Sequence, residues 1–302
     1  MRLSVLLFAM ISACLALGIA APAPQDEDDV RGAFLTSRPK GKAPASGTST
    51  RPSRRRPKAV VTNDPGKAPE KKPANPSGPT TSNKPSEPLK PVNARRIGLG
   101  MTLFTRDSNG LVIRVDPEHV FHKGDRVRVL LETNTDGHLY IFNATNDGPV
   151  TMIYPDAQLD EAGNYIKAHI PWEIPSSAAD EERLRWLVFD ENAGIERLYF
   201  FFSREPLLGV PTEDALIALC RDSNGSCPWR PTAELWDGIK KEMQEPLKMD
   251  KNARYGKEQT GSEVQASTRG LSLAKEDPEP SLIMMASSTS SMLVTTLDLI
   301  HK

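Results

Sequence analysis

The alternation of apolar and polar residues between positions 125 and 155 is typical of short β-strands joined by tight turns. The stretch DRVRVLLETNTDGHLYIFNATNDGPVTMIYP reads as strand, turn, strand, turn, strand, and in its first strand Val127, Val129 and Leu131 recur with the period of a β-strand. The Asp-Gly pairs at 136–137 and 147–148 supply the positive φ angles that tight hairpins require. The pattern therefore predicts a β-meander.

Runs of the same kind extend over most of the chain between residues 97 and 210. Turn sequences such as DSNG at 107–110 separate them. Many short strands at this spacing are typical of an antiparallel β-sandwich or a barrel-like domain. We predict strands at 99–104, 111–115, 125–132, 138–143, 150–154, 165–170, 184–189 and 195–203.

The two faces of each predicted strand indicate what covers it. The strand at 125–132 alternates valine or leucine with charged residues, which predicts that one face is exposed. The charged positions are Arg126, Arg128 and Glu132. The strands at 138–143 and 195–203 are apolar on both faces, as in strands that are covered twice.

The C-terminal third supplies candidates for this second cover. Residues 211–220 and 231–244 each begin with Pro-Thr and soon reach an acidic residue, which is a helix-start signal. We therefore predict one or two covering helices in an appendage at 211–245. Residues 246–290 are polar and contain several Pro and Gly residues, which predicts a long loop. The final stretch SMLVTTLDLIHK predicts a last strand that returns to the sheet.

The first 20 residues have the layout of a secretory signal peptide. Arg2 precedes a long uncharged apolar run, and small residues follow at Gly18 and Ala20, so we expect cleavage after Ala20. An uncleaved membrane anchor is one alternative, because the apolar run is about long enough to span a bilayer. A lipoprotein is another, in which Cys14 of the lipobox-like ISAC would be acylated.

Residues 21–96 differ in composition from the rest of the chain. They are rich in Pro, Lys, Ser and Thr, and such a segment buries too little apolar surface to offset the entropy of ordering. Positions 37–96 carry 15 Lys and Arg residues against 3 Asp and Glu residues, in a chain whose formal net charge is -1. We therefore predict a disordered basic linker, followed by a folded domain at 97–302.

A basic cluster within this linker is a candidate site for polyanions. Its residues are Arg51, Arg54, Arg55, Arg56 and Lys58. Such a cluster is attracted to anionic polymers or lipid headgroups, so the linker would be a tether that binds an anionic component of the envelope. The alternative is that the linker is a solubilising spacer. We expect no nucleic acid partner, because no aromatic residues for base stacking are interleaved. We expect membrane association only if the N-terminal segment is uncleaved.

Two cysteines remain if Cys14 leaves with the signal peptide. Cys220 and Cys227 flank the turn sequence DSNG. An even pair in an exported chain is a disulfide candidate, and the turn lets the two sulfurs meet. The alternative is two unpaired thiols, because the spacing is too wide for a CxxC redox or zinc site.

The sequence lacks the common catalytic and metal-binding motifs. It has no HExxH, GxSxG or P-loop, and its turn aspartates lack EF-hand spacing. His119 and His122 lie three residues apart in a predicted loop or strand edge, so we predict no metal site, no cofactor and no catalytic residue. Five aromatic residues could line a ligand groove, although core packing is their commoner use. They are Tyr140, Tyr154, Trp172, Trp186 and Trp229.

Three stretches resemble the DUF4384 family, which occurs in exported bacterial proteins. They are FHKGDRVRVLLETNTDGHLYIFNATNDGPVTMIYPD, GNYIKAHIPWEIP and GIERLYFFFSREPL. The positions that match the recurring family pattern are Gly124, Asp125, Tyr140, Gly148, Tyr154, Pro155, Ile174, Pro175, Gly194, Glu196 and Ser203. The resemblance spans residues 97–210 and implies an accessory or binding role. The family has no known function and supplies no catalytic residues.

These features together predict an exported protein that is periplasmic, displayed on the cell surface or secreted. We expect a non-catalytic binding or accessory module of the bacterial cell envelope. Its partner would be an envelope or extracellular protein, or an anionic polymer. The alternative is a hydrolase acting on cell-wall polymer or protein, which would need convergent polar side chains in a concave pocket.

Overall fold

The strand pattern correctly predicts a mainly β sandwich. We describe a computed structural model of the chain, in which thirteen strands of the described residues form one sheet of seven strands and one of six. The residues described are 29–40, 96–157, 163–221, 227, 229–287 and 290–302.

The two sheets divide the strands between them. Sheet A contains β1 (Gly98–Arg106), β2 (Val112–Val115), β4 (Arg126–Thr133), β8 (Trp172–Ile174), β9 (Leu187–Val188), β11 (Lys248–Lys251) and β12 (Leu282–Met285). Sheet B contains β3 (Val120–Phe121), β5 (Gly137–Thr145), β6 (Thr151–Tyr154), β7 (Tyr165–Ile166), β10 (Gly194–Ser203) and β13 (Met292–His301). The helices are α1 (Val30–Leu35), α2 (Glu213–Cys220), α3 (Ala233–Glu242), α4 (Gly261–Arg269) and a 3-10 turn at Glu182–Arg185.

The strand order places the longest strands at the centre of each sheet. Sheet A runs β11-β12-β1-β4-β8, with β2 also paired to β1 and β9 also paired to β4. Sheet B runs β3-β13-β10-β5-β6, with β7 also paired to β5. The pairing of β13 with β3 is parallel, and the other pairs described are antiparallel. The last strand therefore returns to the sheet, as its sequence predicts.

The predicted meander at 125–155 is wrong in one respect. β5 and β6 form a hairpin, but β4 and β5 lie in different sheets. Both edges of β4 are occupied, since it pairs with β1 on one side and with β8 and β9 on the other. The turn at 134–136 therefore carries the chain across the sandwich.

The main core fills the space between the sheets. Alternate residues of each central strand point into it, as the period of two predicts. From sheet A these are chiefly Leu99, Met101, Leu103, Val127, Val129 and Leu131, and from sheet B they are Leu139, Ile141, Leu198, Phe200, Phe202, Leu297 and Leu299.

The outer face of sheet B is covered as the sequence predicts. Helix α3 begins at the N-cap Thr232, whose side chain accepts a hydrogen bond from the amide of Leu235. Its Trp236 ring lies edge-on to Phe142 and Tyr199, with centroids 5.7 and 4.8 Å apart. This second cluster explains why β5 and β10 are apolar on both faces.

The outer face of sheet A corrects two sequence predictions. Residues 246–290 are not a long loop, because they contain β11, α4 and β12. They cover β4, which is therefore not half-exposed: Arg128 and Glu132 are only 4% and 3% exposed. The alternation of charged residues misled the prediction because these charges face polar partners from distant parts of the chain instead of water.

A third correction concerns the linker predicted at 21–96. Residues 29–40 within it form α1 and the turn after it, and they pack against β11 and β12. We call residues 29–40 the N-terminal clip. The predicted signal peptide and the rest of the linker lie outside the described residues. Of the helices that the structure describes, none is long and apolar enough to cross a membrane.

Candidate functional site

The N-terminal clip is anchored by Phe34, which is fully buried against sheet A. Two glycines of β1 make room for its ring. A Cβ atom at Gly98 would lie 2.8 Å from Phe34 Cδ2, and one at Gly100 would lie 3.1 Å from Phe34 Cζ. Glycine inside a strand commonly marks such a close approach. The ring also joins a small cluster with Ile283 and Met285 of β12.

Arg38 fixes the C-terminal end of the clip. Its Nε and Nη2 atoms donate to the two carboxylate oxygens of Glu132, at 2.8 and 2.6 Å. The remaining donors reach backbone carbonyls at Ala274, Asp277 and Pro278. The Arg38 side chain is 0% exposed, so the guanidinium has exchanged water for a complete set of protein acceptors.

A serine, a histidine and a carboxylate lie in line at the same junction. Ser37 Oγ is 2.7 Å from His169 Nε2, and His169 Nδ1 is 2.7 Å from Glu132 Oε1. Glu132 and His169 are buried, and Ser37 is half-buried. The order of groups is that of a hydrolase triad, so this array is the strongest candidate for chemistry in the described residues.

The hydrogen bonds of Ser37 differ from those of a hydrolase triad. Ser37 Oγ also donates to the carbonyl oxygen of Phe34, at 2.6 Å. A hydroxyl has one proton, so Ser37 does not donate to His169 Nε2 while it donates to Phe34, and the carboxylate of Glu132 accepts from the Nδ1 side of the ring. The His169 ring therefore bridges the clip and Glu132, while the Ser37 hydroxyl is bonded to the carbonyl oxygen of Phe34.

The charges around Glu132 keep it ionised. Desolvation of the buried carboxyl opposes ionisation, but hydrogen bonds from His169 and Arg38 and the charges of both groups outweigh it and lower the pKa of Glu132. The result is a buried carboxylate held between a guanidinium and an imidazole. Arg38 would also weaken a triad, because its bidentate contact balances the negative charge of the carboxylate that a catalytic histidine needs.

Other charged residues on this face are paired in the same way. Arg114 Nη2 donates to Glu263 Oε1 at 2.6 Å, and both side chains are buried. Gln259 bridges Arg128 and Glu173 through hydrogen bonds of 3.1 and 2.6 Å. This polar layer joins sheet A to the segment that contains α4.

A cleft opens at one end of the sandwich, where the inner face of sheet B becomes polar. It has a volume of about 210 Å³. Its lining residues are Asn143, Leu187, Val188, Phe189, Asp190, Glu196, Leu198, Leu299 and His301. Three polar residues of this set each lie two positions along the strand from a core residue: Asn143 from Ile141 in β5, Glu196 from Leu198 in β10, and His301 from Leu299 in β13. They therefore occupy positions that point toward the core farther along each strand.

Two polar groups of the cleft are incompletely paired. Glu196 Oε2 accepts hydrogen bonds of 3.0 Å from Asn143 and from Thr145, whereas its Oε1 has no partner among the described residues. His301 is 4% exposed, and its buried Nε2 has no partner there either. Buried polar atoms without partners are rare, so this cleft is the second candidate site.

The remaining predicted residues have varied positions. Cys220 and Cys227 form the predicted disulfide, with Cα atoms 4.8 Å apart, which indicates an oxidising, non-cytoplasmic setting. Arg51, Arg54, Arg55, Arg56 and Lys58 lie outside the described residues. His122 is exposed and 3.8 Å from Asp125, while the ring of His119 contacts Phe121.

The five singled-out aromatic residues pack in different surroundings. Tyr140 and Tyr154 are buried, and the ring of Trp172 lies 5.6 Å from that of Tyr154. Trp186 lies beneath the guanidinium of Arg128 at 4.3 Å. Trp229 lines a cavity of about 130 Å³ next to the disulfide. A shared aromatic groove is not formed by these residues.

The fold and its sites define a two-sheet β-sandwich whose N-terminal segment docks on one outer face. Residues 120–206 match the family model of DUF4384, a domain of unknown function, which confirms the resemblance found in the sequence. The match contains Glu132, His169 and Glu196, but not the clip or His301. No curated protein and no solved structure matches the chain.

Both candidate sites escaped prediction, although the sequence contains signals for each. Gly98 and Gly100 stand two residues apart within a strand pattern, which indicates that something packs closely on that face. Asn143, Glu196 and His301 occupy core-facing positions of their strands by parity. Polar residues at such positions are a signal for a site that opens between two sheets.

Proposed function

We propose that this protein is an exported, non-catalytic binding or accessory module of the bacterial cell envelope. The observation that carries the proposal is the state of the Ser37, His169 and Glu132 array. Its groups are hydrogen-bonded to the clip and neutralised by Arg38, so they are suited to holding the clip in place. The disulfide is consistent with export, because such bonds persist in oxidising compartments.

Docking of the clip supports a specific arrangement for binding. Residues 41–95 connect two ends that are both held by the same domain, and they carry 12 Lys and Arg residues against 3 Asp and Glu residues. A basic segment of this kind is attracted to polyanions. The proposed role is therefore to present a basic loop to an anionic envelope polymer, with the sandwich as its rigid base.

A retention assay on anionic envelope fractions tests this role. Replacing all five residues of the basic cluster with glutamine should reduce retention, and raising salt should do the same for the wild type, because exposed charges are screened within about 10 Å at 0.1 M salt. The test residues are Arg51, Arg54, Arg55, Arg56 and Lys58.

A matched control removes the same charge from elsewhere in the segment. The control residues are Lys67, Lys71, Lys72, Lys84 and Lys90. If the cluster is the site, the control variant should keep most of its retention. Retention that is insensitive to salt and to both variants would refute the proposed role of the basic loop.

The hydrolase alternative rests on the same array. If Ser37 donates to His169 instead of to Phe34, the three groups adopt the hydrogen-bond order of a nucleophile, a base and an orienting carboxylate. Release of Arg38 from Glu132 would favour that state. This alternative requires the clip to shift without leaving the domain.

Covalent labelling distinguishes the two functions. We expect a fluorophosphonate to leave Ser37 unmodified in the exported protein, as judged by mass spectrometry. Ser267 is a matched control, because its hydroxyl also donates to a carbonyl three residues earlier. Labelling of Ser37 that is lost in His169→Asn, with Ser267 unlabelled, would establish the hydrolase and reject the non-catalytic proposal.

A further inference from the structure

We propose that the cleft at the end of the sandwich binds a primary ammonium group on an aliphatic stem, such as the side chain of an exposed lysine of a partner. This inference deepens the proposed binding function and rests on it. It concerns a site separate from the basic loop: the loop would take anions, and the cleft would take a cation.

The charges of the cleft favour a cation. Glu196 and Asp190 both line it, and hydrogen bonds from the backbone and side chain of Asn192 lower the pKa of Asp190. The nearby Lys123 is paired with Glu191 at 2.8 Å. Arg197, the neighbour of Glu196, points to the opposite face of β10 and pairs there with Asp298. Glu196 thus has no ion pair among the described residues, and Asp190 has only Coulombic contributions from His301 and Lys123.

The hydrogen-bonding groups favour an ammonium over a metal ion. An ammonium has three donors and no acceptor. Glu196 Oε1 is an acceptor, and it and the buried His301 Nε2 both lack partners among the described residues. These residues are diagonal neighbours across β10 and β13, since Gly194 pairs with His301 and Glu196 pairs with Leu299. Among the described residues, no three His, Cys, Asp or Glu side chains come close enough to hold a metal ion.

The apolar walls and the volume of the cleft favour the aliphatic stem of one side chain over a whole small-molecule ligand. Leu187, Val188, Leu198 and Leu299 line the cleft beside the polar groups. Val188 is 55% exposed and stands at the sheet edge, so part of the wall is open to a partner. The volume of about 210 Å³ is below the range of roughly 300–1,000 Å³ for drug-sized ligands. The cleft therefore fits one side chain.

Titration of the full chain with n-pentylamine hydrochloride, followed by NMR, tests the inference. We expect saturable shifts of the His301 and Glu196 signals with a dissociation constant on the order of millimolar, as a single small group allows. Pentanol and pentanoate should cause no such shifts. Glu196→Gln should weaken pentylamine binding by roughly tenfold or more, because a hydrogen bond to a charged group is lost. Glu234→Gln on α3 is the matched control and should bind normally.

Several outcomes would overturn the inference. Equal binding of pentanol would make the cleft an apolar pocket, and shifts produced by calcium alone would make it a divalent-cation site. Loss of pentylamine binding in both glutamine variants, or no saturable shift in the wild type, would exclude the ammonium site. Each of these leaves salt-sensitive retention by the basic loop intact, whereas labelling of Ser37 would reject the proposed function without changing the titration.

Discussion

Arg38 is the residue on which the docking of the clip depends most. Its buried guanidinium donates to both carboxylate oxygens of Glu132 and also satisfies three carbonyl oxygens. Arg31, at the other end of the clip, makes ion pairs with Asp250 and Glu279, but these side chains are 20–36% exposed. Breaking a buried pair leaves a charge with neither a partner nor water, whereas water solvates the charge left by an exposed pair.

The first prediction compares these two arginines. Arg38→Ala should lower the free energy of unfolding by about 3 kcal/mol or more, because Glu132 is left buried without its bidentate partner. Arg31→Ala should cost about 1 kcal/mol or less, as expected of a partly exposed pair. Urea unfolding of both variants measures the difference. Equal and small losses would mean that the clip contributes little to the stability of the domain.

The second prediction concerns the stability of the fold at acid pH. Hydrogen bonds and charges lower the folded-state pKa of Glu132 against the cost of burial. A carboxylate with a lowered pKa stabilises the fold above its unfolded pKa, about 4.3, and loses that contribution as the pH falls through the folded value. The wild type should therefore lose stability as the pH falls below about 4.3, and Glu132→Gln should lose less over the same range.

Asp298→Asn is the comparison for this pH experiment. Arg197 also lowers the pKa of Asp298, but the Asp298 side chain is 39% exposed, so solvent screens the pair. Urea unfolding at neutral pH and near pH 3.5 should show a larger change in acid sensitivity for Glu132→Gln. The opposite ranking would contradict the buried cluster as the source of the acid sensitivity.

At the scale of elements, the clip depends on a fitted contact between α1 and β1. A Cβ atom at Gly100 would lie 2.5 Å from Pro280 Cγ and 3.1 Å from Phe34 Cζ. The proline ring is rigid, so the clip and the segment before β12 must separate. This geometry makes a single added methyl group a probe of docking.

The third prediction follows from this contact. Gly100→Ala should undock the clip and increase the rate at which trypsin cleaves after Arg31, measured by mass spectrometry. Gly238→Ala is the control, because a Cβ atom there meets nothing within 4 Å. Unchanged cleavage in Gly100→Ala would show that Phe34 does not occupy the space above the two glycines.

The fourth prediction concerns the disulfide between the end of α2 and Cys227. Replacing both cysteines with serine should increase hydrogen exchange in α2 more than in α3. Helix α2 buries Leu216 and Cys220 in a small cluster, whereas α3 is also held by Ile239 and Trp236 against sheet B. Strands β4 and β5 should remain protected. Equal loss of protection in β5 would show that the appendage and the sandwich unfold as one unit.

The sequence predicts elements well where local pattern and tertiary contact agree. The apolar faces of β5 and β10 predict a double cover, and α3 supplies it because its own stripe is apolar. The alternating pattern of β4 wrongly predicts an exposed face, because Arg128 and Glu132 are paired with Gln259 and Arg38, which lie far away in the chain. The sequence pattern shows which strand positions are polar. It does not show whether water or a distant side chain provides their hydrogen-bond partners.

For the whole molecule, the docked clip changes what the N-terminal region can do. Only residues 21–28 separate the predicted cleavage site from the clip. Eight residues span at most about 28 Å when fully extended. A chain retained at its N-terminus by an anchor would therefore hold the sandwich close to the membrane while the clip is docked. Residues 40 and 96, which flank the basic segment, would both be held by the sandwich.

Hydrogen exchange on the intact chain determines whether residues 29–40 are part of the folded domain. The amides of Ala33 and Thr36 are hydrogen-bonded within the clip, and the amide of Lys275 donates to the carbonyl oxygen of Pro39. We predict that all three are protected in the wild type and lose protection together when Phe34 and Arg38 are both replaced by alanine. Exchange of the clip amides at the rate of an unstructured peptide in the wild type would show that the clip is not docked on the domain.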